Sequence, residues 1–387
     1  MKDNKTHASI YFLIARFILL LSLPMEGVKA YGDFWNFYRL AELGWPFFDI
    51  WVEFPPVFPF LSRGIYLLVS GREHAYIYLT AILFSLVQAG SIYVFQLIAE
   101  EVLGKEESRS RSISYAFIVL GLFYGWSYFD CFAVFLTLVG MLYIINGKHI
   151  NAGAALALGG LVKWFPVLVL PAAWKGMERK KAARMVVFTV IAISAFWLLL
   201  YFASPTYTSA SFLSQGAKGS WESIWAIIDG NLTTGNFNPA ADRFDASTAT
   251  LTAGNPPRIP PWMTLIFFGG IGLILLWKAV LDSKLKLTAF IGLTMTLFFI
   301  WSPGYSPQWV LYLIPLILLS FERNRSLLIA LVVILSNLLE WPLMLSRGLF
   351  EYLPGLILLR TVLYLFTAVM FAFVVFSKDS LTEEGVM

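Results

Sequence analysis

Long apolar runs separated by short polar connections dominate the chain. They lie at about 8–24, 75–99, 113–126, 129–146, 151–164, 165–174, 183–203, 261–281, 286–302, 308–321, 326–341 and 354–376. Crossing a ~30 Å hydrocarbon core takes ~20 apolar residues as a helix, and backbone in lipid must satisfy its hydrogen bonds internally. The pattern therefore predicts an all-α integral membrane protein, a polytopic bundle of about 10–12 transmembrane helices. Several runs are short, so broken or paired half-length helices are expected. The basic stretch Met1 to Lys5, followed by an apolar run with no small-residue cleavage site before Glu26, predicts a retained first span.

Two connections break the rhythm, at about 25–74 and 204–260. The first is aromatic and punctuated by proline, which predicts short interfacial helices along the membrane surface. The second is rich in Ser, Thr, Asn, Gly and Pro and is expected to be the most mobile part. Residues 1–387 read as a single transmembrane domain carrying these two outer loops, with no internal repeat.

Composition sharpens this picture: 58% of residues are hydrophobic and only 13% charged, against ~25% charged in soluble domains. A soluble two-domain enzyme is excluded. The single cysteine, Cys131, excludes an intramolecular disulfide. The net charge of +4 matters less than its placement. Runs such as Lys105, Arg109 and Arg111, or Arg179, Lys180, Lys181 and Arg184, fall in connections of one parity, which places that side and both termini in the cytoplasm.

A charge within a span costs ~2.5–3.5 kcal/mol on insertion scales and needs a partner, a cavity or a function. With this topology Asp33 and Glu53 fall on the outer side, as does Asp130 at the end of its hairpin. Lys163 lies ~18 Å up a helix that starts near Asn151, and Arg360 ~9 Å down the last span. The turn Ser302-Pro303-Gly304-Tyr305-Ser306-Pro307-Gln308 and the stretch between Glu340 and Arg347 are outer as well. Polar groups remote in sequence thus meet on one face, the arrangement of an outward-opening cleft. Each has a plainer reading: Asp33 and Asp130 suit helix caps, Lys163 a snorkelling side chain, and Arg16 and Arg360 structural ion pairs. His7, His74 and His149 have no metal-ligand spacing, and no phosphate-binding glycine loop, Ser–His–Asp arrangement or HExxH occurs. Asn231-Leu232-Thr233 is a glycosylation signature in an outer loop.

Gly32-Asp33-Phe34-Trp35-Asn36-Phe37-Tyr38, then Gly44-Trp45-Pro46-Phe47 and Glu53-Phe54-Pro55-Pro56-Val57-Phe58-Pro59-Phe60, resembles the opening of GT-C glycosyltransferases. The resemblance is to polyprenyl- or dolichyl-phosphate-mannose-dependent mannosyltransferases, including the GPI mannosyltransferase I type. Phe129-Asp130 with Lys163-Trp164-Phe165-Pro166, and Ser306-Pro307-Gln308-Trp309 with Leu313-Ile314-Pro315, resemble later blocks in the same order. The likeness covers about residues 8–320.

It implies inverting transfer of a sugar, mannose by this resemblance, from a polyprenyl-phosphate donor to a lipid or glycan hydroxyl on the outer face. Asp33 is then the catalytic base, and Lys163, Arg360 and Arg347 bind the donor phosphate. Asp130, Glu53, Tyr305, Gln308 and Trp35 contact sugar or acceptor, and Trp51 and Trp221 offer further stacking faces. GPI-type relatives carry Asp-x-Asp in the first loop, whereas Phe34 and Trp35 follow Asp33 here. A divalent cation is the one cofactor the resemblance raises; Asp130 could orient it, and Glu53 or Asp49 could supply a second carboxylate, though nothing in their spacing requires it. The competing readings are a polytopic transporter or lipid-linked glycan flippase, which would distribute polar groups through the membrane depth, and a scaffold subunit. The plasma membrane of a prokaryote or the endoplasmic reticulum of a eukaryote is the expected location.

Overall fold

A computed structural model describes residues 7–377 except 233, 234 and 236. The basic N-terminal stretch and Thr233 of the glycosylation signature lie outside the described residues, as does the side chain of His7.

The described chain is helical, with only isolated bridges between extended segments. Helix α1 (His7–Ser22) leads into α2 (Met25–Lys29), α3 (Phe34–Leu43) and α4 (Val57–Leu68), the short helices expected of the first long connection. Next come α5 (Glu73–Leu103), α6 (Lys105–Gly121), the single turn α7 (Tyr124–Ser127), α8 (Asp130–Ile145) and α9 (His149–Val162). A 3₁₀ segment, Phe165–Val169, feeds α10 (Leu170–Gly176), and together they make one half-length return. Helices α11 (Arg179–Ala203), α12 (Pro205–Ser214), α13 (Ile224–Asp229), α14 (Pro261–Lys278), α15 (Lys284–Trp301), α16 (Val310–Ser320), α17 (Arg323–Leu338) and α18 (Leu353–Phe376) follow. Six helices are long and apolar enough to cross a membrane, and shorter apolar helices lie among them. The protein is an integral, multi-pass membrane protein.

Burial follows sequence. Helix α16 is apolar all round and every residue from Val310 to Ser320 is buried, which makes it the centre of the bundle. It packs on α5, α6, α8, α15 and α17. At the other extreme α14 buries only Thr264 and turns Phe267, Ile266 and Leu273 outward, as a lipid-facing helix should.

The two ends of the bundle differ. At one, Arg111 donates to Ser326 Oγ at 2.5 Å and Leu318 O at 3.2 Å, and Lys284 pairs with Glu101 at 2.5 Å. Both long connections gather at the other end. Arg16, buried in α1, is structural: Nη2 donates to Val119 O at 2.5 Å and Leu120 O at 3.1 Å, carbonyls left open where α6 ends. Phe12 and Trp126 cover its guanidinium at 4.8 and 4.7 Å.

Candidate active site

A cavity of about 690 Å³ opens at the end where the long connections meet. The first connection contributes Asp33, Asn36 and Glu53, and the α7–α8 junction Tyr128 and Phe129. Lys163 and Trp164 come from the end of α9, and Gln308 and Trp309 from the turn before α16. The second connection supplies Gln215, Lys218, Trp221, Glu222 and Arg243, and Trp341 closes one side.

Asp33 sits at the N-cap position of α3 but makes no capping bond, so the plainer reading of this aspartate fails. Its backbone is fixed instead: Asp33 N–H donates to Ser127 O at 3.4 Å. Gly32 permits that approach, since a Cβ there would lie 2.3 Å from the Ser127 Cβ. Desolvation in the cavity raises the Asp33 carboxyl to about 6. Lys163 and Lys218 pull it down in part, while Asp130 and Glu53 push it up.

Lys163 follows the last turn of α9 in an extended conformation, φ −160° and ψ 142°, the broken helix end expected from its Gly159-Gly160 and Pro166 neighbours. Its Nζ donates to Asp130 Oδ1 at 2.7 Å. Asp130 is fully buried at the head of α8, while Lys163 keeps 18% of its side chain open. Rings of Phe129, Phe165 and Trp309 surround the ammonium at 5.2–5.7 Å. A buried counterion on one side and π faces around it hold the charge at a fixed point of the wall.

The second connection adds two cations. Arg243 forms an ion pair with Glu53 at 2.7 Å and lies over Trp51 at 4.2 Å. Trp51 is buried, and its Nε1 donates to Asp242 O at 2.7 Å and Asp245 O at 3.2 Å. These contacts lock the two long connections together. Burial raises the Glu53 carboxyl, but Arg243 and Lys218 outweigh it and hold Glu53 below the usual carboxylate range. Burial, offset in part by Glu53, brings the Lys218 ammonium below its ordinary value.

Thus Asp33, Glu53, Lys163, Gln308 and Trp221 line one cavity, with Asp130 directly behind Lys163. Other expected residues are not brought there. Arg360 is buried, paired with Glu340, bonded to Glu222 O and laid over the Tyr305 ring at 3.7 Å, which leaves no face for a phosphate. Tyr305 turns its hydroxyl into the bundle, toward Asn337 Oδ1 at 2.7 Å and Tyr364, and does not reach a sugar. Arg347 is exposed on a short 3₁₀ turn and lines no part of the cavity. Trp35 faces outward from α3, under Arg39 at 4.3 Å. The Asn231 amide is buried in bonds to Ser220 Oγ and Asn255 O, both at 3.1 Å, so it is not displayed for glycosylation.

Lys218, Arg243 and Glu222 were not marked by the sequence; in a long polar loop they look like ordinary solvated charges. Among the described residues no group of three His, Cys, Asp or Glu could hold a metal ion. Asp130 and Glu53 are each neutralised by a cation, so the donor set does not fit a divalent ion.

No family model matches the sequence, and no curated protein does. A solved structure of ArnT from Cupriavidus metallidurans bound to undecaprenyl phosphate is similar over 95% of this chain and 76% of that chain, with TM-score 0.50 and 13% identity. The Archaeoglobus fulgidus oligosaccharyltransferase in its apo form aligns over 96% of this chain and 56% of its own, at TM-score 0.49 and 13% identity, too slight a likeness to bear weight. The helical membrane bundle, with its half-length passes and two long connections roofing a cavity at one end, thus shares its fold with that ArnT structure.

Proposed function

We propose that the protein is a membrane glycosyltransferase. It moves a sugar, mannose by the sequence resemblance, from a polyprenyl-phosphate donor to a hydroxyl of a lipid or glycan acceptor on the outer face, with inversion. The whole chain acts as one domain with both termini cytoplasmic. The observation that carries this reading is an uncapped Asp33 carboxyl, raised to about 6, in one cavity with Lys163, Lys218 and Arg243. The polyprenyl phosphate in the similar ArnT structure supports the choice of donor.

The chemistry needs those parts. Asp33, with a pKa near the working pH, takes the proton of the acceptor hydroxyl. That oxygen attacks the anomeric carbon from the face opposite the phosphate, and the bond from the anomeric carbon to the phosphate oxygen breaks. The electron pair leaves on polyprenyl phosphate, and the preorganised cations stabilise the charge that develops there. Lys163 is the fixed cation of the set. Lys218 and Arg243 take the phosphate-binding places expected of Arg360 and Arg347. Gln308 and Trp221 remain sugar contacts, and Asp130 and Glu53 act by holding Lys163 and Arg243.

The test is transfer of label from polyprenyl-phosphate mannose by purified protein in lipid, with a membrane glycan extract as acceptor. Label leaving the donor supports the transferase. Silence with mannose, glucose and arabinose donors, together with donor movement across the bilayer, would favour a flippase.

A further inference from the structure

Glu222 is a buried carboxyl on the cavity wall with no cation of its own. It retains 5% of its surface, and Oε2 has no hydrogen-bond partner among the described residues. Three charged groups face it, Glu340 from the turn after α17, Arg360 from α18 and Asp33 from the first connection, together with the hydroxyls of Tyr124 in α7 and Tyr128 at the α7–α8 junction. The single cation, Arg360, is already paired with Glu340.

The backbone around Glu222 is fixed more firmly than a loop needs. Arg360 Nη2 donates to Glu222 O, Tyr305 N–H to Trp221 O at 3.0 Å, and Ser223 Oγ to Pro303 O at 2.5 Å. Trp221 lies flat on Gly304, where a Cβ would come 2.2 Å from the ring. Glu222 itself has φ +48°, a left-handed conformation that costs energy for a residue with a Cβ and marks over-determined sites.

We propose that Glu222 is a sugar-binding residue, its carboxyl contacting one hydroxyl of the transferred sugar beside Asp33. The inference rests on the transferase reading above. Burial, with Glu340 next to it, drives the Glu222 carboxyl well above the ordinary range, and Arg360 offsets this only in part. A carboxyl can meet a hydroxyl in either state, accepting from it as the carboxylate and offering a donor and an acceptor as the acid. A phosphate, all acceptors and anionic, belongs instead with Lys163, Lys218 and Arg243. A site that hydrogen-bonds a substrate hydroxyl rejects the analogue lacking it, because its own polar group is then left unpaired.

The experiment uses the full-length protein in lipid with polyprenyl-phosphate donors carrying mannose, glucose or arabinose, then the monodeoxy series of whichever sugar is transferred. The expected result is that wild type loses tenfold or more in kcat/KM for one deoxy position. Glu222→Ala should no longer distinguish that analogue from the parent, and its loss on the parent should fall mainly on KM. Glu222→Gln, with an amide donor and acceptor in the same place, should recover discrimination. If Glu222→Ala does not fold, Glu222→Leu, of similar volume and without hydrogen-bonding groups, decides: a deoxy pattern identical to wild type overturns the inference. An unchanged deoxy pattern in Glu222→Ala also overturns it. Absence of transfer by wild type would instead overturn the transferase reading, and this inference with it.

Discussion

The Lys163 ammonium is held 2.7 Å from the Asp130 carboxylate, and only the lysine reaches the cavity. Position and charge are thus divided between two residues. Removing one member of a buried pair strands the other, at about 3–5 kcal/mol. Lys163→Met and Asp130→Asn should each lower the thermal midpoint, and the double variant should recover most of it. Donor turnover should stay lost in the double variant, since the cation is gone. Recovery of turnover together with stability would show that Lys163 serves only the fold.

Asp33 should weaken the fold at neutral pH. Its carboxyl is raised from 3.8 to about 6. A group raised on folding favours the folded state at low pH, and the benefit is lost as pH rises between those two values. Above pH 6 the ionised Asp33 opposes folding, by up to about 3 kcal/mol at ~1.4 kcal/mol per pH unit. Asp33→Asn should therefore raise the thermal midpoint at pH 7.5 and lose that gain near pH 4. A midpoint lowered at pH 7.5 would contradict the burial assigned to this carboxyl.

The pH dependence of activity follows from the same group. Wild-type kcat/KM should climb as pH rises through about 6 and then level, because the base must be unprotonated in free enzyme. Glu53, held low by Arg243, should add no second step in that window. A flat profile from pH 5 to 8 would remove Asp33 from the role of base.

Trp51 ties the first connection to the second through its indole and through Arg243 stacked on it. Trp51→Phe keeps a ring and loses the bonds to Asp242 O and Asp245 O. Trypsin cleavage at Lys218 and Arg258 should then speed up several-fold, and KM for donor should rise. Unchanged cleavage would mean that the ion pair Glu53–Arg243 alone holds the roof.

Much of this was legible in the sequence. Most apolar runs mark their helices to within a few residues, including the half-length return at 165–176, whereas the run at 113–126 misses the polar first turns of α6 and merges its end with α7. The cost of a charge in lipid picked out Asp130 and Lys163, and the first-loop motif picked out Asp33. The outward turn of Trp35 was also readable, because Phe34, Phe37, Tyr38 and Ala41 form the buried stripe of α3 at helical spacing. Arg360 was not, since its partner Glu340 lies twenty residues away across a turn that spacing does not fold. Lys218, Glu222 and Arg243 were hidden for a related reason: only the folding of 204–260 over the cavity removes them from solvent.

In the proposed reaction Asp33 removes a proton as a sugar passes from a lipid phosphate to its acceptor. The most direct measurement is single-turnover transfer from radiolabelled polyprenyl-phosphate sugar by wild type and Asp33→Asn in the same lipid, with donor binding measured in parallel. Donor should be bound equally by both and label transferred by wild type alone, a loss of at least 10²-fold, within the range for a general base. Transfer by Asp33→Asn at the wild-type rate would contradict this role of Asp33.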